Sequence, residues 1–424
     1  MHAAVIFWGG GVIFAAKSTR IKPSSMKKVL MALPLMLLAA FSLTAETPVK
    51  NQRYVVLVSM DGFRHDYIDS NKTRNFDKMA RAGVSAVMKP SYPASTFPNH
   101  YTLATGLVPD HNGLVNNSFW EPVLGERYSI GGKNKHKSHF YLGDPIWNTA
   151  QRQGVIAGVT YWVGSDFVIG GERPRYYLPY DGNLLSFKAR IDRTAELLSL
   201  PEEERPHLVL LYFSEPDHTG HGYGPFSKQT RKEVRSMDKL LGRLRQKLSR
   251  LPIASQIDLI VLSDHGMADL SPDRCISVDK HLKKEWMERI IFGTPTSIYS
   301  KNATCRDSIL TALSGIEHLH VWKKGEVPAE LNYGTSNRLG DIIVAPEVGW
   351  RFTDRPGKGR GGHGYFPSDP EMQTVFRAEG PDFKKGYTAP SFRNVSIYPL
   401  VCYLLGIEPS PNDGDLEEVS NMLR

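Results

Sequence analysis

This 424-residue sequence predicts an α/β fold: a doubly wound, mostly parallel sheet flanked by helices. Three observations predict it. Apolar, β-branched runs recur at Tyr54–Met60, His207–Phe213 and Asp258–Ser263, with the length and composition of strands buried on both faces. Amphipathic helical stretches alternate with such runs along the chain, the rhythm of βα units. Each of the three runs also delivers an acidic residue at or just past its C-terminal end: Asp61, Asp217 (through Ser-Glu-Pro) and Asp264. Ligands of open parallel sheets bind at that rim. Three carboxylates gathered there repel one another unless cations lie between them, so the pattern points to a metalloenzyme.

Taken in order, residues 1–45 stand outside the predicted fold. Met26 opens a short basic segment (Lys27, Lys28), followed by an apolar stretch from Val29 to Leu43 and then Thr44-Ala45. That is the layout of a secretory signal peptide, and the apolar part is short for a membrane span. Met1 to Ser25 reads as translation from an upstream start codon, with Met26 the initiator; the competing reading is a two-part membrane anchor. The expectation is a secreted or periplasmic protein cleaved near Ala45. The net charge of +8 falls with it, because five of the 52 basic residues lie in this segment and the remaining 47 face 44 acids. No basic run remains to favour a nucleic-acid duplex. Residues 46–424 read as a single catalytic domain with loop insertions.

The first strand, Tyr54–Met60, is followed by a helix over Asn75–Ala82 and a strand over Ser85–Met88. Pro98 marks the start of the next helix, with Ser95 or Thr96 at its cap. Glu121–Asp144 is loop-rich and expected on the surface. A strand over Val155–Thr160 and a helix over Ile191–Leu200 lead to the His207–Phe213 strand. The charged helix Lys228–Leu251 precedes the strand at Asp258–Ser263. A further strand is expected over Leu339–Ala345, then a Gly- and Arg-rich loop over Glu347–Tyr365, and an apolar helix over Ser396–Leu405. Cys402 on that helix reads as a buried thiol. Cys275 and Cys305 are free to pair in an oxidising compartment.

The chemistry-bearing residues gather around these strand ends. Asp217 and His221 stand four apart, a spacing that lets both reach one cation. Asp264-His265 adds a second Asp/His pair, and His363 lies among glycines in Gly361-Gly-His-Gly-Tyr365. With Asp61 the set is three carboxylates and three imidazoles. It suits two Zn²⁺ ions at three protein ligands each, although Mn²⁺ accepts the same mixture. Thr96, in Pro93-Ala-Ser-Thr-Phe-Pro-Asn-His100, offers a hydroxyl at the positive end of a helix, where an alkoxide and an attached phosphate are favoured.

These segments together resemble the nucleotide pyrophosphatase/phosphodiesterase family of the alkaline phosphatase superfamily, in its bacterial type. The resemblance rests on Ser59-Met-Asp-Gly-Phe-Arg64, Pro93 to Gly106, Glu215 to Pro225, Ser263-Asp-His-Gly-Met267 and Gly362-His-Gly-Tyr365, in that order. Trp162-Val-Gly-Ser165 is similar to the family's Trp-Pro-Gly-Ser element, with Val163 in place of proline, and Gly406 to Gly414 resembles its closing loop. The resemblance implies an alkaline-phosphatase-like fold, with Thr96 as nucleophile. Asp61, Asp264 and His265 would hold the zinc that activates Thr96, and Asp217, His221 and His363 would hold the second. It further implies that Asn117 donates to a phosphate oxygen, and that Phe97 and Tyr212 sandwich a nucleobase with Tyr180 as a pocket wall. Asn116, adjacent to Asn117, leaves the register there open. The implied activity is hydrolysis of nucleotide phosphodiester or pyrophosphate bonds to nucleoside 5′-monophosphates through a threonine-bound intermediate. The rivals are a phosphomonoesterase or choline-phosphodiesterase of the same superfamily, and a non-catalytic secreted binding protein.

Overall fold

The computed structural model describes residues 53–180, 185–355 and 357–424, and the signal peptide expected before Ala45 lies outside them. Nine strands build the central sheet. Its order is Tyr387–Thr388, Val84–Lys89, Thr374–Glu379, Ile257–Leu262, Tyr54–Met60, Leu208–Phe213, Ala157–Thr160 and Tyr176–Leu178, with Phe392–Arg393 pairing beside Val84–Lys89. The three strands read from the sequence lie side by side and parallel at its centre, so their acidic C-terminal ends share one rim.

Successive side chains of a strand point to opposite faces, so an unbroken apolar run must serve two cores. Val55, Leu57, Leu208, Leu210, Ile260 and Leu262 pack with one, beneath the helices Thr96–Thr105, Ile146–Arg152 and Ile397–Leu405. Val56, Val58, Val209, Leu211, Leu259 and Val261 pack with the other, beneath Arg74–Ala82, Phe187–Leu197 and Lys228–Leu248. The last of these helices buries Val234, Met237, Leu241 and Leu244, a 3- and 4-residue repeat facing the sheet.

Three elements depart from expectation. Thr374–Glu379 is antiparallel to both its neighbours, which makes the sheet mixed on that side. The run expected over Leu339–Ala345 forms the strand Ile342–Pro346, but in a separate four-stranded antiparallel sheet with Met287–Ile291, Thr296–Ser300 and Leu319–Lys323. That sheet packs with the helix Ala303–Leu313 around its own core of Ile298, Ile309, Leu313 and Val344. Alternating apolar residues specify a buried strand, not the sheet that receives it. The tract Glu121–Asp144 is only partly surface: Tyr128, Phe140 and Tyr141 are buried. All three cysteines are free thiols, Cys402 buried as expected.

At the opposite end of the sheet, Asp258 is fully buried one residue into its strand, close to Asp382, which Arg53 grips with two hydrogen bonds of 2.8 and 2.9 Å. Burial and the Asp382 carboxylate push Asp258 up to about 8. An unfolded aspartate titrates near ~3.9, so the folded state holds the extra proton between those values. Its contribution to stability is full below about pH 4 and is lost at roughly 1.4 kcal/mol per pH unit as pH rises through the window. Asp258→Asn is therefore expected to match the wild-type Tm near pH 4 and to exceed it at pH 9. A variant less stable than wild type at pH 9 contradicts this.

Candidate active site at the carboxyl rim of the sheet

Asp61 follows the strand Tyr54–Met60 directly, and its N–H continues the parallel pairing by donating to Phe213 O at 2.9 Å. Its own carbonyl accepts from Asp217 N at 3.0 Å, which ties the two carboxylate-bearing turns together. Gly62 makes this possible. It has φ +67°, and a Cβ there would lie 2.8 Å from Asp217 Cβ. Asp217 opens a short helix, Asp217–Tyr223, that carries His221 one turn on. Asp264 and His265 extend from the neighbouring strand, where Ser263 Oγ accepts from Phe63 N at 2.8 Å and donates to Asp264 and to His265 O.

The three histidines share one arrangement. Each Nδ1–H donates to a backbone carbonyl: His265 to Gly266 at 2.7 Å, His221 to Gly361 at 3.0 Å and His363 to Ala94 at 3.1 Å. Each Nε2 is thereby left as a lone pair aimed inward, the tautomer of a metal-ligating imidazole. His221 Nε2 and His363 Nε2 lie 3.1 Å apart, and His221 Nε2 lies 3.3 Å from Asp217 Oδ1. His265 Nε2 lies 3.3 Å from Asp61 Oδ1, 3.2 Å from Asp264 Oδ2 and 3.0 Å from the Thr96 hydroxyl.

These spacings test the fit to a metal. A tetrahedral ion with bonds of about 2.0–2.1 Å has ligand–ligand edges of about 3.3–3.4 Å. The carboxylate oxygens Asp61 Oδ1, Asp217 Oδ1 and Asp264 Oδ2 are buried and have no hydrogen-bond partner. Buried acceptors left in that condition are costly and call for a cation. Asp217, His221 and His363 form one group able to hold a metal ion, and it overlaps in series with two others, Asp61/Asp217/His265 and Asp61/His100/Asp264. The Thr96 hydroxyl, Asp61 and Asp264 all lie against His265 Nε2. The donors fit metal binding.

The electrostatics agree. Burial, then the charges of Asp264 and Asp217, raise Asp61 well above the usual carboxylate range. Burial also raises Asp217 against the pull of His221 and His265. For Asp264 burial acts upward too, but the surrounding His265 and His100 outweigh it and hold the group ionised. Burial, with His265 and His221 adding to it, holds His363 far below its ordinary value, so it is neutral and free to ligate.

Thr96 is the first residue of the helix Thr96–Thr105, and Ser95 is its N-cap. The turn that delivers it is stapled by buried Asn99, whose side chain amide donates to Pro93 O and Ser95 O and whose Oδ1 accepts from Ser91 N. His100 sits on the same helix. Its Nδ1 is 2.9 Å from Thr96 O and 3.2 Å from Asp264 Oδ2, and its Nε2 faces Ser59 Oγ at 2.8 Å. His100 thus joins the helix start to a carboxylate of the seat. Both residues stand in the Pro93–Gly106 segment, yet sequence reasoning assigned neither a role, because a polar residue inside a helix announces no partner. Trp162 Nε1 donates to His100 O at 2.9 Å, so the Trp-Val-Gly-Ser element braces the helix. The closing loop braces its other end, where Asp413 N donates to Gly106 O at 2.8 Å.

The structure places the remaining residues as follows. Phe97 N donates to Asn117 Oδ1 at 3.0 Å, which ties Asn117 to the residue after Thr96. Asn116 instead spends its amide on Pro295 O, so the two asparagines face different ways. Phe97, Tyr212 and Tyr180 all line a cleft of about 310 Å³ that opens beside Thr96 and Asp61 and also receives Tyr161, Trp162 and Phe167. Tyr212 does more than offer a ring: its hydroxyl donates to Asp61 Oδ2 at 2.7 Å. Lys135 lines the same cleft, and no arginine does among the described residues.

A family model described as type I phosphodiesterase/nucleotide pyrophosphatase matches residues 55–366. The chain is 33% identical over 385 residues to human ectonucleotide pyrophosphatase/phosphodiesterase family member 1, covering 87% of this chain and 42% of that protein. It is 33% identical over 393 residues to the human family member 5, covering 91% and 82% respectively. The chain therefore spans less than half the length of the first relative and most of the second. Among solved structures, murine ectonucleotide pyrophosphatase/phosphodiesterase 5, an inactive threonine-to-alanine variant in complex with AMP, superposes with a TM-score of 0.84 at 33% identity, covering 88% of this chain and all of that one.

Proposed function

Because the chain belongs to the type I phosphodiesterase/nucleotide pyrophosphatase family, we propose that it hydrolyses nucleotide phosphodiester or pyrophosphate bonds and releases nucleoside 5′-monophosphates. One observation carries the reading: overlapping Asp/His clusters with partnerless buried carboxylate oxygens converge beside a helix-start hydroxyl. Asp61, Asp264 and His265 hold one Zn²⁺, and Asp217, His221 and His363 hold the other. When bound, the two cations supply the positive charge that acidifies a hydroxyl and stabilises the oxygens of a phosphoryl transition state.

The chain's own residues do the rest. Thr96, after losing its proton to solvent, attacks phosphorus in line; its Oγ–P bond forms as the bond to the leaving oxygen breaks. Asn117 donates from the amide nitrogen to a non-bridging oxygen. Phe97 and Tyr212 sandwich the base with Tyr180 as a pocket wall, and Tyr212 also holds Asp61 through its hydroxyl. Water then cleaves the threonine ester, restoring the hydroxyl and freeing the 5′-monophosphate. The AMP held by the murine relative is a molecule of that product class. The absence of arginine from the cleft wall, among the described residues, favours a diester over the more highly charged monoester. Export through the segment Met26–Ala45 belongs to the same proposal, and among the described residues no helix is long and apolar enough to cross a membrane.

A panel of 4-nitrophenyl TMP, 4-nitrophenyl phosphate and 4-nitrophenyl phosphorylcholine tests it, with the released nucleotide identified by chromatography. The nucleotide diester is expected to have the highest kcat/KM, with TMP as product. Preference for either of the other esters, or no turnover by metal-loaded protein, sinks the proposal.

A further inference from the structure

Asn116 takes no part in the proposed chemistry, yet it is buried next to Asn117 and both ends of its side chain are engaged. Its Oδ1 accepts from Asn117 N at 2.8 Å, and its amide nitrogen donates to Pro295 O at 2.9 Å. An N–H can meet only the oxygen and a carbonyl only the nitrogen, so this amide has one workable orientation.

Asn117 is thereby held at three points. Its N–H is fixed by Asn116, its carbonyl accepts from Ile130 N at 3.1 Å, and its Oδ1 accepts from Phe97 N at 3.0 Å. Ile130 and Phe97 belong to the cleft wall, whereas Asn116 reaches away from it to another sheet. With Oδ1 occupied, the amide nitrogen is what Asn117 has left to donate, and its direction follows the backbone that carries it. Hydrogen bonds weaken steeply off line, so that backbone matters.

The far anchor is the four-stranded satellite sheet. Residues 292–295 join its strands Met287–Ile291 and Thr296–Ser300, and Thr296 Oγ1 closes the turn by donating to Gly293 O at 2.9 Å. The turn is wedged between Asn116 and the segment that carries His363. A Cβ on Gly293 would lie 2.9 Å from Asn116 Nδ2, and one on Gly364 would lie 2.4 Å from Thr294 O. Gly364 also has φ +103°, which strains any other residue there.

We propose that Asn116 is a positioning residue for phosphoryl transfer. Anchored on the satellite sheet through Pro295 O, it fixes the backbone of Asn117 and so the line along which Asn117 donates, a role that rests on the reading of Asn117 as a phosphate donor. The satellite sheet is then part of the active site without contributing a group that touches substrate.

The test compares Asn116→Ala, Asn117→Ala and the double variant with wild type on 4-nitrophenyl TMP. Loss of a donor of this kind costs about 10²-fold in kcat, the drop expected of Asn117→Ala. Asn116→Ala should lose about tenfold or more in kcat with KM within about twofold, and the double variant should stay within about threefold of Asn117→Ala, because the two residues act as a unit. Gly293→Ala reaches the same contact from the other side by displacing the Asn116 amide nitrogen. It should lower kcat in the same way, and it carries the test should Asn116→Ala not fold. Calorimetry on metal-loaded protein gives a readout without turnover: Asn116→Ala should weaken AMP by about threefold or more and leave adenosine unchanged. Losses that multiply in the double variant, or wild-type kcat in Asn116→Ala while Asn117→Ala is impaired, overturn the positioning role. If Asn117→Ala turns over like wild type, the phosphate-donor reading falls and takes the positioning role with it. If wild type fails on the diester, the diesterase reading falls, and the AMP–adenosine comparison still judges Asn116.

Discussion

Thr96→Ala is expected to lower kcat/KM for a nucleotide diester by about 10⁴-fold or more while leaving metal content and nucleotide binding in place. The size follows from position. The hydroxyl stands 3.0 Å from His265 Nε2, at the open corner of a seat otherwise made of Asp61, Asp264 and His265. It is also the first hydroxyl of a helix whose positive end favours the alkoxide. The neighbouring hydroxyls are engaged elsewhere: Ser95 is the N-cap, Ser59 faces His100, and Tyr212 donates to Asp61 Oδ2. Because the Thr96 hydroxyl bonds only His265 among the described residues, and its backbone bond to His100 survives the substitution, the variant should stay within about 1 kcal/mol of wild-type stability. Single-turnover quench experiments check the assignment further, since wild type should trap a nucleotidyl-protein and the variant should not. Wild-type turnover by Thr96→Ala would falsify the nucleophile.

Stripping the protein with a chelator should abolish turnover, and Zn²⁺ should restore it with about two ions bound per chain. Stability should move with the metal. Asp61, Asp217 and Asp264 each keep a buried oxygen without a partner in the absence of cations, so the metal-free protein bears close carboxylates that only burial and imidazoles offset. An ion present at a thousandfold excess over its Kd stabilises the native state by roughly 4 kcal/mol, so removal of two should lower Tm by many degrees. The two seats can be told apart. Asp217→Ala should reduce the bound zinc to about one ion per chain, and so should Asp264→Ala, because the proposed seats take these two carboxylates separately. Elemental analysis of the dialysed variants decides; retention of two ions in either breaks the division into two clusters.

Most of this site is legible along the chain because its residues sit at strand ends. Strands buried on both faces declare themselves by unbroken apolar runs, and the residue that follows such a run must emerge at the rim. Asp61, Asp217 and Asp264 are recognisable for that reason, before any partner is known. His221 follows from a one-turn spacing, and His265 from adjacency. His363 is different, since only its glycine-rich setting marks it, and what brings it into the cluster is contact with His221 across 142 residues of sequence.

Other features have no local signature. The strand Thr374–Glu379 is not among those expected from the sequence, and its antiparallel place beside Ile257–Leu262 depends on how the chain returns to the sheet after His363. The Ile342–Pro346 run is as apolar as a central strand but pairs in a satellite sheet, between Thr296–Ser300 and Leu319–Lys323. Tyr212 reads as a pocket aromatic, and its bond to Asp61 comes from the register that sets it beside Ser59.

Sequence alone determined the chemical types and the order in which they reach the rim: three carboxylates at strand ends, three imidazoles within reach, and a hydroxyl at a helix start. Burial periodicity and backbone punctuation are local properties, so they can be read residue by residue. Only the tertiary structure decided which imidazole nitrogens turn inward, that the carboxylates and imidazoles gather into overlapping groups, and that His100 and Asn99 hold the turn bearing Thr96 in place. Those outcomes depend on carbonyls and side chains brought together from strands and loops far apart in the chain, and no local pattern encodes a partner that distant.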